Sequence, residues 1–289
     1  MSAATAEPAT EGRFAWLRPP KGGPGGTMSI WDHLRELRYR VTIAAIAIVL
    51  AGSFSIIFYK QLVLLIMAPW NRARTALEEA RPGASLMVVN NGVTSSFTFA
   101  VVLCVVAGII LSTPIWVYQL WAFVAPGLVA KEKKYALGFI GAATPLFLGG
   151  CALGYYIWPK GIEVLLSFTP QDMGITNMQD MAEFLKMEIQ IILVFGLSFL
   201  LPVVVVALNM ANVVRGYQLK RARKFVMFGS VVLAAVATPT TDPFSMLSLA
   251  LPVSGMFLIA ELICRISDKR KGITEETVAE YAIDLEDGQ

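Results

Sequence analysis

Six long tracts of this chain contain no Asp, Glu, Lys or Arg: 41–59, 82–130, 135–159, 189–214, 225–241 and 243–260. Crossing the hydrocarbon core of a bilayer takes about 20 apolar residues, within a range near 17–25. Four tracts meet that length easily and the last two lie near its lower edge. A soluble helical core of this size would need charged faces between its apolar stretches, and these tracts have none. Only 16% of the residues are charged, against about 25% in an ordinary soluble domain. The expected fold is therefore all-α: a polytopic integral membrane protein with six transmembrane helices, of which spans five and six are short.

The basic residues orient it. With the amino terminus inside, eighteen of the 24 Lys and Arg fall on the inner side, in the segments before residue 41, at 131–134, 215–224 and 265–271. Five (Lys60, Arg72, Arg74, Arg81 and Lys160) fall outside, and Lys186 stands at a helix edge. Short cytoplasmic loops retain the positive excess, so both termini are expected in the cytoplasm. Residues 1–27 are small, Gly- and Pro-rich and without an apolar core, which reads as a disordered tail rather than a cleaved signal. Residues 28–267 make the six-span membrane domain, and 268–289 a charged cytoplasmic tail.

Ser29 is placed to cap a short amphipathic helix that runs into span one. Ile30, Leu34, Leu37 and Val41 share one face of it, with Asp32, Arg35, Glu36 and Arg40 pointing elsewhere. The apolar run 61–67 suggests a helix packed on the outer surface. Span two starts near Thr94 and is broken by Pro114; the rings after it, Trp116, Tyr118, Trp121 and Phe123, read mainly as interfacial anchors. Spans five and six meet in the tight connector 238–243. The 17 uncharged residues before Asp242 would cover only about 26 Å of a core near 30 Å. Thinning of the bilayer, or partial insertion, is expected there.

No residue pattern suggests an enzyme, a metal centre or a cofactor. The single histidine, His33, reads as a surface residue. There is no Gly-rich phosphate loop, and no Ser–His or His–Glu set within the spans. Cys104, Cys151 and Cys264 read as small apolar side chains rather than a metal or disulfide site. Glu188 and Gln190, near the start of span four, and Glu261, near the end of span six, are the deepest strongly polar groups. Intramembrane polar groups are functional candidates, although Glu261 is placed to snorkel to the interface. Two carboxylates stand in basic settings on the inner side: Glu36, within i,i+4 reach of Arg40, and Glu132, among Lys131, Lys133 and Lys134.

The run Tyr118-Gln119-Leu120-Trp121-Ala122-Phe123-Val124-Ala125-Pro126-Gly127-Leu128, ending in Lys131-Glu132-Lys133-Lys134, resembles the first cytoplasmic loop of TatC proteins. These are the signal-peptide receptors of the twin-arginine translocase. His33-Leu34-Arg35-Glu36-Leu37-Arg38 resembles the amino-terminal motif of that family. Ala68-Pro69 fits its first outer loop, Phe199 to Pro202 its fourth span, and Thr238-Pro239 through Ser245 its last turn. These matches keep family order from about residue 28 to 267.

The resemblance implies a receptor in the bacterial cytoplasmic membrane that binds folded precursors through signal peptides bearing two consecutive arginines. It places the peptide contacts at Glu132 and Phe123, with Glu36, Arg38 and Pro126 contributing. A guanidinium binds a carboxylate through a planar two-toothed fork that lysine lacks, so Glu36 and Glu132 are natural partners for two arginines. Pro69, Glu188, Gln190 and Asp242 remain candidate partner or structural contacts. The implied partners are the single-span subunits TatA and TatB, further copies of the chain, and lipid, with no nucleic acid. Transport would draw on the proton-motive force. One departure stands out: many members carry a glutamate two positions before the span-four proline, and here that position is Leu200. The competing reading, a secondary transporter or channel, predicts paired midplane charges and repeated halves; a purely structural scaffold predicts that no inner-side carboxylate matters.

Overall fold

The computed structural model describes residues 30–80, 86–90, 92–124, 133–168, 177–210, 213–237 and 243–272. The helices among them are α1 (Ile30–Ser55), α2 (Tyr59–Ala80), α3 (Val93–Leu111), α4 (Thr113–Val124), α5 (Lys133–Ser167), α6 (Met181–Ser198), α7 (Leu201–Met210), α8 (Gly216–Ala237) and α9 (Pro243–Arg270). Large apolar side chains such as Val49, Leu50, Phe97, Leu137 and Phe225 face outward. A protein in water would hide them. The fold is that of an all-α, polytopic membrane protein.

Stretches Trp31–Ala76, Thr94–Leu111, Leu137–Ser167, Met181–Met210 and Met246–Arg270 are long and apolar enough to cross a membrane. That makes five among the described residues, where the sequence suggested six. The shortfall is α8. Lys220, Arg221, Arg223 and Lys224 occupy its early turns, leaving residues 225–237 uncharged, about 20 Å of helix. α9 is 28 residues long, its uncharged part being residues 243–260, after which come Glu261, Arg265, Asp268, Lys269 and Arg270. The connector 238–242 lies outside the described residues.

Close helix crossings rest on glycine. A Cβ on Gly108 would lie 2.5 Å from the Ile48 carbonyl oxygen and 2.7 Å from the Gly52 nitrogen, so α1 and α3 meet backbone to backbone. Without a side chain in the way, dispersion and polar contacts can act between helices for which lipid offers no hydrophobic drive. Ser55 Oγ donates to the carbonyls of Gly52 (2.7 Å) and Cys104 (3.3 Å), bridging the same pair. α5 and α6 cross in the same way, a Cβ on Gly150 falling 2.6 Å from the Phe195 oxygen.

The predicted break at Pro114 is present, between α3 and α4. Proline has no N–H to give the Ile110 carbonyl. Thr113 Oγ1 takes that oxygen at 2.6 Å, and Trp116 Nε1 takes Ile109 O at 2.9 Å. Freed carbonyls are thus satisfied locally, as a non-aqueous surrounding requires. Span four is also interrupted, at Phe199 and Leu200, where α6 passes to α7 just before Pro202.

Outside the helices, β1 (Leu86–Val89) pairs in parallel with β2 (Asn177–Asp180), from Leu86↔Asn177 to Val89↔Asp180. Nothing in the alternation of either segment announced this pairing. β2 ends on Asp180, whose carboxylate accepts the Glu183 N–H at 2.9 Å and starts α6. At the opposite end α9 continues through Arg270, three residues into the segment assigned to a tail. Asp268 is buried there, accepting from Gly216 N (2.6 Å) and Asn209 Nδ2 (3.0 Å). A carboxylate on the first N–H of α8 satisfies an orphan donor and suits the helix dipole.

Candidate functional site

Helix α1 buries the residue that its pattern turned outward. Glu36 is 4% exposed, whereas Leu34 and Val41 lie open to the surroundings. Of the polar set, Asp32 and Arg35 stay exposed, and Glu36 and Arg40 are the members turned inward. Arg40, one turn on, donates Nε to Glu36 Oε1 at 2.9 Å and Nη2 to the same oxygen. Its Nη1 reaches Gln119 Oε1 at 3.5 Å. The pairing with Arg40 considered from the sequence therefore exists, but it is largely buried and leaves Glu36 Oε2 without a hydrogen-bond partner among the described residues.

Oε2 faces an aromatic stack. His33 Nδ1 lies 3.9 Å from it, and the imidazole stacks on Phe123, with ring centroids 4.5 Å apart and planes 14° apart. Gln119 and Phe123 are one turn apart on α4, so one helix face presents both to α1. Glu36 and Phe123 are thus brought together. His33, read as an isolated surface group, is the link between them. Gln119 was missed too; its i,i+4 spacing from Phe123 was the available signal.

The other predicted site residues divide. Arg38 is exposed, with its carbonyl accepting from Thr42 Oγ1. Pro126, Glu132 and Asp242 lie outside the described residues. Pro69 sits buried inside α2. Gln190 is exposed, and Leu200 is buried. Trp121, expected as an anchor, is instead core, stacked on Phe139 at 4.4 Å. Glu261 does not snorkel: it is buried, accepting from Arg223 Nε (3.0 Å) and Nη2 (2.8 Å), with Arg265 Nη1 at 3.5 Å. The fork from α8 holds it in place.

Glu188 is unsatisfied at both carboxyl oxygens, where Glu36 is open at one. It is 0% exposed, and neither carboxyl oxygen has a hydrogen-bond partner among the described residues. The nearby Tyr155 hydroxyl donates to Leu65 O at 3.0 Å instead. A buried unsatisfied polar group costs about 1–3 kcal/mol. Replacing it by an apolar side chain of similar length removes that cost, so Glu188→Met should raise the apparent melting temperature of the detergent-solubilised protein. A lower melting temperature would show that Glu188 has a stabilising partner after all.

The family model described as "Sec-independent protein translocase protein (TatC)" matches residues 32–252. The chain is 33% identical over 268 residues to the Sec-independent protein translocase protein TatC of Frankia casuarinae, covering 91% of this chain and 72% of that one. It is 32% identical to the TatC of Xylanimonas cellulosilytica, over 87% and 88% of the two chains. A crystal structure of a twin-arginine translocase receptor TatC in DDM superposes with a TM-score of 0.68 at 24% identity, covering 81% of this chain and 99% of that chain. Membership replaces the secondary-transporter alternative, and TatC proteins are translocase components rather than enzymes. The α1–α4 surface, the broken second span and the match over most of the chain agree: this multi-pass membrane protein belongs to the TatC family.

Proposed function

We propose that the chain is the receptor core of the twin-arginine translocase, binding twin-arginine signal peptides of folded precursors on the surface where α1 meets α4. The observation that carries this reading is Glu36 Oε2: a buried acceptor with no donor, facing the His33–Phe123 stack. A buried carboxylate oxygen left open is expensive, and an incoming guanidinium supplies what it lacks. Glu132, in the Lys131–Lys134 run that resembles the family's first loop, takes the second arginine. Arg38 and Pro126 border the path, and Phe123 offers an apolar ring to the residues after the arginine pair.

The positive excess on the segments at this end of the helices supports an orientation with this surface, and both termini, on the cytoplasmic side of a bacterial inner membrane. TatA, TatB and further copies of the chain would complete the transport machinery, since one bundle is too small to enclose a folded cargo. The proton-motive force would drive it. Glu188, Gln190, Pro69 and Asp242 remain candidates for partner or structural contacts.

A photocrosslinker in place of Phe123 tests the site. It should capture a signal peptide with an Arg pair and lose most of that capture when the pair is Lys-Lys. Equal capture of both would overturn the arginine reading. In cells, deletion should strand twin-arginine precursors in the cytoplasm and leave other secretion intact.

A further inference from the structure

Arg40 occupies the same carboxylate that the proposed site offers to its ligand. Both Nε and Nη2 sit on Oε1. An arriving lysine could use the free Oε2 alone, because an ammonium is a point donor. A guanidinium makes its two parallel bonds only if it gains both oxygens, and that requires Arg40 to leave Oε1. Gln119 Oε1, already 3.5 Å from Arg40 Nη1, is an acceptor within reach of the displaced group. Arg40, Gln119 and Phe123 are also among the residues lining an apolar groove of about 340 Å³, with Ala44, Trp116 and Leu193. A shift of Arg40 therefore changes the lining of that groove.

We propose that Arg40 is an internal stand-in for a substrate arginine, a specificity-determining residue that the peptide's guanidinium displaces from Glu36 toward Gln119, opening the groove to the apolar residues that follow. This rests on the signal-peptide reading above. Two consequences distinguish it from a merely structural ion pair. Removing the competitor helps the true ligand. Removing Gln119 harms binding only while Arg40 is there to be displaced.

The test is equilibrium binding of a fluorescent peptide, Arg-Arg followed by an apolar segment, to the full-length chain in lipid nanodiscs. Arg40→Gln should bind it about five-fold more tightly, near 1 kcal/mol by the ten-fold-per-1.4 conversion. Arg40→Lys, which keeps the charge beside Glu36 but gives up the fork, should show a smaller gain of the same sign and decides the matter if Arg40→Gln does not fold. Gln119→Leu should weaken binding severalfold in the parent and leave it unchanged in the Arg40→Gln background; a Lys-Lys peptide should ignore Gln119→Leu. Weaker binding by Arg40→Gln and Arg40→Lys, or an equal loss from Gln119→Leu in both backgrounds, overturns the stand-in role. Glu36→Gln separates the two readings: if it binds the peptide as the parent does, the site itself is wrong, whereas if it loses binding while the Arg40 variants gain nothing, only the stand-in fails.

Discussion

Gly108→Ala should cost the protein about 2–3 kcal/mol or more and lower its yield in the membrane, although the change adds a single methyl group. The added Cβ would lie 2.5 Å from Ile48 O and within 3 Å of the Gly52 backbone. All of the nearest atoms are backbone, so no side chain can rotate away; helix α1 must move as a unit. Overpacking of this kind typically costs about 1–3 kcal/mol, occasionally more. Here it also separates the Ser55 hydroxyl from the Cys104 carbonyl on α3, a bond of 3.3 Å. Gly149→Ala is the matched control. Nothing lies within 4 Å of its Cβ position, and alanine favours the helix by about 1 kcal/mol. Apparent melting temperatures in one detergent should move in opposite directions. If both variants melt alike, the close α1–α3 crossing is not what holds this part of the bundle.

Removal of either acidic partner of the arginine pair should produce the other large change. For Glu132→Ala, loss of one member of a desolvated charge pair implies about 2–5 kcal/mol weaker binding of a twin-arginine peptide, or roughly thirty-fold to a few thousand-fold. Glu36→Ala should cost less, about 1–3 kcal/mol, because Arg40 already competes for Glu36 in the unbound protein. The asymmetry is itself informative. It should shrink when Arg40 is also replaced, since Glu36 then has no internal partner to lose. Peptide titration of the three variants measures it, and unchanged affinity in Glu132→Ala would remove that residue from the site.

Much of the framework was legible without coordinates. Uncharged tracts reveal spans because a charge in lipid is costly wherever it occurs along the chain, so the signal is local and additive. Pro114 announced its break because a missing N–H is a property of one residue. The family runs around Glu36 and Phe123 likewise placed both on one surface. Among the described residues α8 falls below the spanning length because it starts at Gly216, spends its early turns on basic residues and leaves only 225–237 uncharged. Glu261 looked like a helix-end charge because its fork donor, Arg223, lies 38 positions away.

Span chemistry and break points are thus properties of the chain read in order, since each depends on residues that are neighbours in sequence. The third dimension alone decided which face of α1 is buried, that His33 joins Glu36 to Phe123, and that Glu188 has no hydrogen-bond partner among the described residues. Those outcomes depend on which helices meet, and in lipid both a polar and an apolar stripe can find a favourable place, so amphipathic pattern by itself does not say which one turns inward.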